Sequence, residues 1–331
     1  MPDISTTYLG LQLKSPIMAS SSGLTSSLED IKAIEKAGAG AIVLKSLFEE
    51  EIVTELEREM NKMHSENYLY PETMDYYDTF DVHDTLSNYL KLISDCKKEV
   101  KIPIIASINC VTPHNWPYFA KSLQDAGADA IELNIFALPS DTERSGPEHE
   151  QLYFDIIKAV KAEVSIPISI KISHYFSNLA NMIKRLSETG IDGMVLFNRF
   201  YSPDIDVDNL EVIPTNIFSN DKDYVMPLRW IAISSGRVQC DLSATTGIHE
   251  SRTVVKMILA GAKTVQIAST LYKNGVECIE RYNREIEKWM RLKNFDSIEQ
   301  FRGMLNQSKV DNPAGYLRVQ FMKQFSEYSV Q

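Results

Sequence analysis

The chain is poor in the features that mark secreted, membrane-borne or metal-held proteins. Its 331 residues include four cysteines, Cys96, Cys110, Cys240 and Cys278, and no Cys-x-x-Cys spacing. That pattern predicts reduced thiols in a cytoplasmic protein, not a disulfide framework. No apolar run reaches the roughly 18 residues a membrane helix needs. Met1-Pro2-Asp3-Ile4 has neither the basic nor the apolar block of a secretory leader. The six histidines show no His-x-x-x-His or His-Glu-x-x-His spacing, so no metal site is expected. No Gly-x-Ser-x-Gly elbow appears either. Positive charge is scarce, 34 Lys and Arg against 45 Asp and Glu, for a net charge of −11. Nucleic acid is therefore a poor partner, because binding phosphates needs clustered cations. The hydrophobic share of 44% is enough for a sizeable core.

What the chain does have is a repeated phrase. A small residue or Thr, then Gly, a turn residue, a buried apolar run and a polar tip recur four times. The copies are Ala37-Gly38-Ala39 leading to Lys45, Ala126-Gly127-Ala128 to Asn134, Thr189-Gly190-Ile191 to Asn198, and Ala260-Gly261-Ala262 to Ala268-Ser269. Seven or eight residues separate each Gly from the end of its run. This suits a helix-ending glycine followed by one short strand.

Four more apolar runs alternate with these, at 15–20, 102–109, 166–171 and 238–244, three of them opening with proline. Eight strands are thus expected near residues 17–20, 40–44, 103–108, 129–133, 167–171, 192–197, 239–244 and 263–267. Helical periodicity fills gaps at 28–37, 116–126, 149–162, 179–188 and 250–260. Strict alternation predicts the α/β class, a (β/α)8 barrel, in one domain over residues 1–331. Its core would span about 15–275, with a helical extension over about 276–331. Residues 6–14 read as a hairpin that could plug the bottom of the barrel. Long loops at 46–85 and 199–226, after strands two and six, should overhang the catalytic face or make oligomer contacts. The first holds Tyr68, Tyr70, Tyr76, Tyr77 and Phe80, the second Arg199-Phe200-Tyr201.

Strand C-termini in such a barrel gather the chemistry. Lys45 and Lys171 close strands two and five, and Asn109, Asn134 and Asn198 close strands three, four and six. Buried amines and amides need fixed partners. A glutamate could pair with either lysine. A planar ligand rich in carbonyl and imide groups would satisfy the whole set. Ala244-Thr245-Thr246-Gly247-Ile248 and Ala268-Ser269-Thr270 close strands seven and eight with small residues, the usual phosphate cup of barrel enzymes. A phosphate joined to a hydrogen-bonding ring system suggests flavin mononucleotide, FMN.

Ordered along the chain, Ser15-Pro16-Ile17-Met18-Ala19-Ser20-Ser21-Ser22-Gly23, Val43-Leu44-Lys45-Ser46, Ile131-Glu132-Leu133-Asn134, Ile168-Ser169-Ile170-Lys171, Phe197-Asn198, Ala244-Thr245-Thr246-Gly247-Ile248, Leu259-Ala260-Gly261-Ala262 and Val265-Gln266-Ile267-Ala268-Ser269 carry a resemblance. The chain resembles the dihydroorotate dehydrogenase family, FMN oxidoreductases of pyrimidine biosynthesis built on a (β/α)8 barrel. The resemblance implies that Ala19, Ser20 and Phe197 line the flavin, and that Lys45, with Ser46 beside it, bonds flavin and substrate. Asn109 and Asn134 would hold flavin and pyrimidine edges. Lys171 would sit by the flavin N1–O2 edge, and Asn198 would bond the pyrimidine. Thr246, Gly247, Ala268 and Ser269 would take the phosphate. The soluble branch of the family is similar in forming dimers and in passing electrons to fumarate or a partner flavoprotein.

Two departures stand out. That branch carries a general-base cysteine in an Asn-x-Ser-Cys-Pro-Asn pattern after strand four, where this chain reads Asn134-Ile135-Phe136-Ala137-Leu138-Pro139-Ser140. Ser140, His174 and Cys110 are the candidate replacements. The substrate-binding segment after strand two, Asn-Ser-Met-Gly-Leu-Pro-Asn in type, is replaced by Glu66-Asn67-Tyr68-Leu69-Tyr70-Pro71, with Asn67 as a relic. Glu49, Glu50, Glu51, Glu66 and Glu72 would oppose a carboxylate substrate. Dihydroorotate oxidation is the expected reaction. The alternatives are a flavoenzyme for a less anionic substrate, a flavin-binding electron-transfer protein and a barrel without a cofactor.

Overall fold

The computed structural model describes residues 1–52, 54, 85–110, 114–199, 202–215 and 217–317. Asn67, the tyrosines around it, Glu66, Glu72, Phe200 and Tyr201 lie outside them.

Nine strands form one parallel sheet that closes on itself. Strand β3 (Ile17–Ala19) is flanked by β4 (Ile42–Val43) and β13 (Thr264–Ile267). From β13 the order runs through β12 (Asp241–Thr245), β9 (Gly193–Leu196), β8 (Ile168–Ile172) and β7 (Ala130–Asn134) to β6 (Ile104–Asn109). The pairing of β4 with β6 completes the ring. The short β5 (Leu47–Phe48) continues β4 along β6, so nine strands occupy eight positions. This is the (β/α)8 barrel that the alternating pattern predicts.

The four recurring glycines have φ of +95° (Gly38), +99° (Gly127), +80° (Gly190) and +121° (Gly261), a conformation that lacks a steric penalty only without a Cβ. In three copies the next residue donates back to a carbonyl five residues earlier: Ala39 to Ile34, Ala128 to Leu123 and Ala262 to Met257. Helix ends closed in this way hand the chain straight to the next strand. The helices are α1 (Leu28–Lys36), α2 (Thr85–Glu99), α3 (Asn115–Asp125), α4 (Gly146–Glu163), α5 (Leu179–Ser187), α6 (Val225–Ser234), α7 (Ser251–Ala260), α8 (Ser269–Asn274) and α9 (Cys278–Leu292). Helices α2 and α6 lie at the ends of stretches that the sequence pattern assigns to long loops. Beyond α9 the described residues form 3-10 turns at Ile298–Gln300 and Pro313–Tyr316.

Alternation along the strands sorts side chains into two environments. Ile131, Leu133, Ile168 and Ile170 are buried in the core that also takes in the helices. Each such side chain contributes about 1.5–3 kcal/mol by leaving water. Glu132, Asn134, Ser169 and Lys171 point the other way, into the barrel, and Glu132 pairs in register with Ser169 as Asn134 does with Lys171. A separate apolar cluster of Tyr8, Leu9, Leu13, Met18, Val43, Ile105 and Ala130 closes the bottom. Tyr8, Leu9 and Leu13 come from the hairpin of β1 (Thr6–Tyr8) and β2 (Leu11–Leu13), and the others from the barrel strands above it. The Leu9 N–H donates to Asp241 Oδ2 at 3.0 Å, at the start of β12. The hairpin is thus the plug expected from residues 6–14.

The second strand position is interrupted where the sequence suggests one run. Lys45 N–H turns aside to the Thr25 carbonyl at 3.2 Å, which breaks the ladder between β4 and β5. The connection after β9 folds into an antiparallel hairpin, β10 (Ser202–Asp206) and β11 (Glu211–Thr215). Asp206 makes its turn by accepting from the Asp208 and Asn209 N–H groups. Among the described residues no helix is long and apolar enough to cross a membrane.

Candidate active site

A cavity of about 280 Å³ opens at the C-terminal mouth of the barrel. Ser20 reaches it from the end of β3, Asn134 from β7 and Lys171 from β8. Phe197 and Asn198 follow β9, Thr246 and Gly247 follow β12, and Ala268 and Ser269 follow β13. Nine residues singled out in the sequence thus share one small space, although they come from the ends of six different strands.

Its floor is charged. Lys171 is 9% exposed and donates to Ser20 Oγ at 3.4 Å. Its ammonium lies 3.8 Å from Glu132 Oε1, and Glu132 is 1% exposed. Gln266 Nε2 donates to Glu132 Oε2 at 2.6 Å, while Ser20 Oγ donates to Gln266 Oε1 at 3.2 Å. Four side chains from four strands close a ring. Glu132 and Gln266 belong to the stretches that carry the family resemblance, but no role attaches to them in the sequence. The signal that could have found them is strand alternation, since Glu132 faces the same way as Asn134, and Gln266 the same way as Ala268.

Among the described residues two buried acceptors here have no hydrogen-bond partner, Glu132 Oε1 and Asn134 Oδ1. Asn134 Nδ2 donates to Ser46 Oγ at 3.3 Å, so its amide is oriented and its carbonyl oxygen is left over. Leaving such an atom unpaired costs about 1–3 kcal/mol. A ligand N–H would remove that cost. Asn198 spends both amide hydrogens on the Ile135 and Lys171 carbonyls, at 3.3 and 3.2 Å, which fixes its plane.

At the opposite end, Thr246 and Gly247 have φ of +78° and +73°. The loop after the β10–β11 hairpin is strapped over them. Ser219 N–H donates to Ser269 Oγ at 3.0 Å, Lys273 Nζ donates to the Ser219 carbonyl at 2.7 Å, and Ser219 Oγ meets His249 Nε2 at 3.0 Å. A Cβ on Gly247 would stand 2.2 Å from the Tyr224 backbone nitrogen.

The other sequence candidates lie elsewhere. Ala19 is fully buried in β3, behind the cavity wall. Lys45 and Ser46 line a second cavity of about 740 Å³. Lys45 Nζ donates to Glu51 Oε1 at 3.0 Å, both side chains being more than two-fifths exposed. Ser46 links the two spaces, bonding Ser107 Oγ at 2.7 Å and Ser21 Oγ at 3.2 Å as well as Asn134. Asn109 is buried at the end of β6 and lines neither cavity. Ser140 is exposed on the loop after β7, whose Phe136 lines the main cavity.

His174 lines a third cavity of about 640 Å³, which shares Phe197, Asn198, Arg199 and Thr246 with the first. Its ring packs 4.5 Å from Tyr175 and 5.8 Å from Phe197. Burial holds its pKa below the ordinary imidazole value, so it is neutral at pH 7. Burial pushes the Cys110 thiol far above its usual range, with Glu49 and Glu50 adding to the effect. Cys110 is a small buried hydrophobe with no tendency to ionise. Among the described residues no group of side chains could hold a metal ion.

His149 and His249 are also held low, chiefly by burial. The unfolded chain therefore binds protons at these three sites more readily than the folded one. Their contribution to stability is complete above the unfolded value near pH 6.5 and is lost as pH falls towards the lower folded values. The unfolding temperature should drop measurably between pH 7.5 and 5.5 in a thermal scan. A flat profile over that window would contradict this expectation.

The fold is a (β/α)8 barrel whose polar strand ends gather around one cavity at its C-terminal mouth. A family model described as dihydroorotate dehydrogenase matches residues 3–290, and the chain belongs to that family, whose members are oxidoreductases. It is 26% identical over 319 residues to the dihydroorotate dehydrogenase B (NAD(+)) catalytic subunit of Thermoplasma volcanium, covering 92% of this chain and 99% of the relative. Identity to the protein of the same name from Methanothermobacter thermautotrophicus is 23% over 316 residues, covering 91% and 98%. It is 24% identical over 330 residues to the NAD-dependent dihydropyrimidine dehydrogenase subunit PreA of Escherichia coli K12, covering 93% of this chain and 78% of the relative.

Proposed function

We propose that the chain is an FMN-dependent oxidoreductase that desaturates a dihydropyrimidine, dihydroorotate being the first candidate. The observation that carries the reading is the single cavity holding Ser20, Asn134, Lys171, Asn198 and the Thr246–Ser269 cup. Its two ends differ as FMN requires. One has a buried ammonium beside an unpartnered amide oxygen, suited to the O2 and N–H edge of a flavin. The other has left-handed backbone and small side chains, suited to a phosphate. When bound, FMN supplies the acceptor for hydride from the carbon–carbon bond being desaturated. This chain's residues would orient the ring, set the charge beneath it and exclude water. For the proton that leaves the substrate carbon, what supports His174 over Ser140 is its neutral, half-buried ring beside Phe197, against an exposed hydroxyl.

One observation favours a less anionic substrate. Glu51 already occupies the Lys45 ammonium that would meet a substrate carboxylate, and Glu50 lines the same cavity. The relative named for dihydropyrimidine fits that variant of the reading. Names that include NAD(+) and a catalytic subunit support NAD as acceptor through a second subunit, with fumarate as the other acceptor. The exposed Ile205, Leu210 and Val212 of the hairpin support a homodimer.

The test is anaerobic. Purified protein should be yellow and release FMN, and mixing with dihydroorotate or with uncharged dihydrouracil should bleach it. Bleaching by dihydrouracil alone would select the less anionic substrate. Reduction by dithionite but by neither substrate would indicate an electron-transfer protein. Colourless protein that takes up no added FMN would overturn the proposal.

A further inference from the structure

We infer that Glu132 is a positioning residue which holds the Lys171 ammonium in a shared place and so limits how much more tightly the site grips reduced than oxidised flavin. The inference rests on the FMN reading above.

The geometry of the ring is unusual for a buried ion pair. At 3.8 Å, Lys171 Nζ and Glu132 Oε1 attract each other but are too far apart for a hydrogen bond. Glu132 cannot close the gap, because its other oxygen is held by Gln266 at 2.6 Å. Gln266 cannot follow, because its carbonyl accepts from Ser20 at 3.2 Å. Ser20 in turn accepts from Lys171 at 3.4 Å. The ammonium has three donors, and the ring uses one of them at long range. It is therefore balanced between a fixed carboxylate below and whatever acceptor enters from the mouth. Among the described residues no second cation pairs with the carboxylate. The Tyr8 hydroxyl of the plug stays protonated, its acidity suppressed by burial and then by Glu132 itself.

Such a pair is close to neutral as seen from the cavity. Reduced flavin carries negative charge at its N1–O2 edge, and an uncompensated ammonium there would favour that form strongly. With Glu132 in place the preference is moderated. Interactions between charges in a water-poor interior are large enough for the difference to be read directly.

Flavin midpoint potentials of the purified holoprotein, measured against reference dyes, test this without relying on turnover. Glu132→Gln keeps shape and the Gln266 contact but removes the charge. It should raise the ratio of reduced to oxidised FMN affinity at least tenfold, equivalent to about 30 mV for a two-electron couple. Glu132→Asp retains the charge and should stay within threefold of the native ratio. Gln266→Met frees the carboxylate to approach Lys171 and should shift the ratio at least threefold in the opposite direction. A merely structural ring would lower stability in all three without opposite shifts. If Glu132→Gln fails to fold, the Gln266→Met shift alone decides. Unchanged potentials, or shifts of the same sign, overturn the inference while leaving FMN binding intact. Failure of the native protein to take FMN removes the reading on which it rests.

Discussion

Lys171→Met should weaken the chain's hold on FMN and lower its stability, and adding Glu132→Gln should restore only the stability. The single change removes the one cation within reach of Glu132 among the described residues and leaves a carboxylate that is 1% exposed. Breaking a buried pair from one side costs about 3–5 kcal/mol, far more than replacing both partners together. The flavin-free single variant should therefore melt several degrees below the native protein, and the double variant should recover most of that loss. FMN affinity behaves differently. A charge-assisted bond is worth about 2 kcal/mol, so both variants should bind FMN roughly 30-fold more weakly. Fluorescence titration with FMN beside thermal scans of the apoprotein separates the two. A single variant as stable as the native chain would mean that Glu132 is not supported by Lys171.

Gly247→Ala should abolish FMN binding, with a loss above about 100-fold, through backbone collision. The new Cβ would lie 2.2 Å from the Tyr224 nitrogen and 2.7 Å from the Asp223 carbonyl carbon, and φ at this position is +73°. Main-chain atoms cannot rotate out of the way as a side chain can. Either the loop after β12 leaves its left-handed turn or residues 219–224 lift off the cup. Both movements separate Ser219 from Ser269 and would spoil the end of the cavity proposed for the phosphate. The conformational penalty alone is about 1–3 kcal/mol. The barrel core lies outside this collision, so the far-ultraviolet circular dichroism spectrum should be unchanged. FMN binding of native strength in this variant would show that the cup lies elsewhere.

The barrel was legible because its punctuation is chemical. A glycine ends a helix where φ must be positive, and four such turns with short apolar runs leave few architectures open. The small-residue turn after β12 could be read for the same reason, since Gly247 also has a positive φ. The polar interior was only half legible. Asn134 and Lys171 stand at strand tips, where a run visibly stops. Glu132 and Gln266 sit within runs, and their meeting depends on closure of a barrel across 134 residues of chain. Lys45 ends an apolar run, which puts it at the barrel mouth, where it lines the second cavity and not the first. Its partner Glu51 comes from a following segment whose path no periodicity dictates. Helix α6 escaped for a different reason. It is apolar nearly all round, with Ile231, Ala232 and Ile233 buried in succession, so it lacks the one-sided stripe by which surface helices are recognised.

The stoppered base of the barrel has a bearing on how the interior stays wet or dry. With Tyr8, Leu9 and Leu13 corking the lower end, solvent and protons approach the Lys171–Glu132 ring from above. Whatever sits in the mouth is then also its valve: on arrival it seals an ionised well, and on departure it floods it.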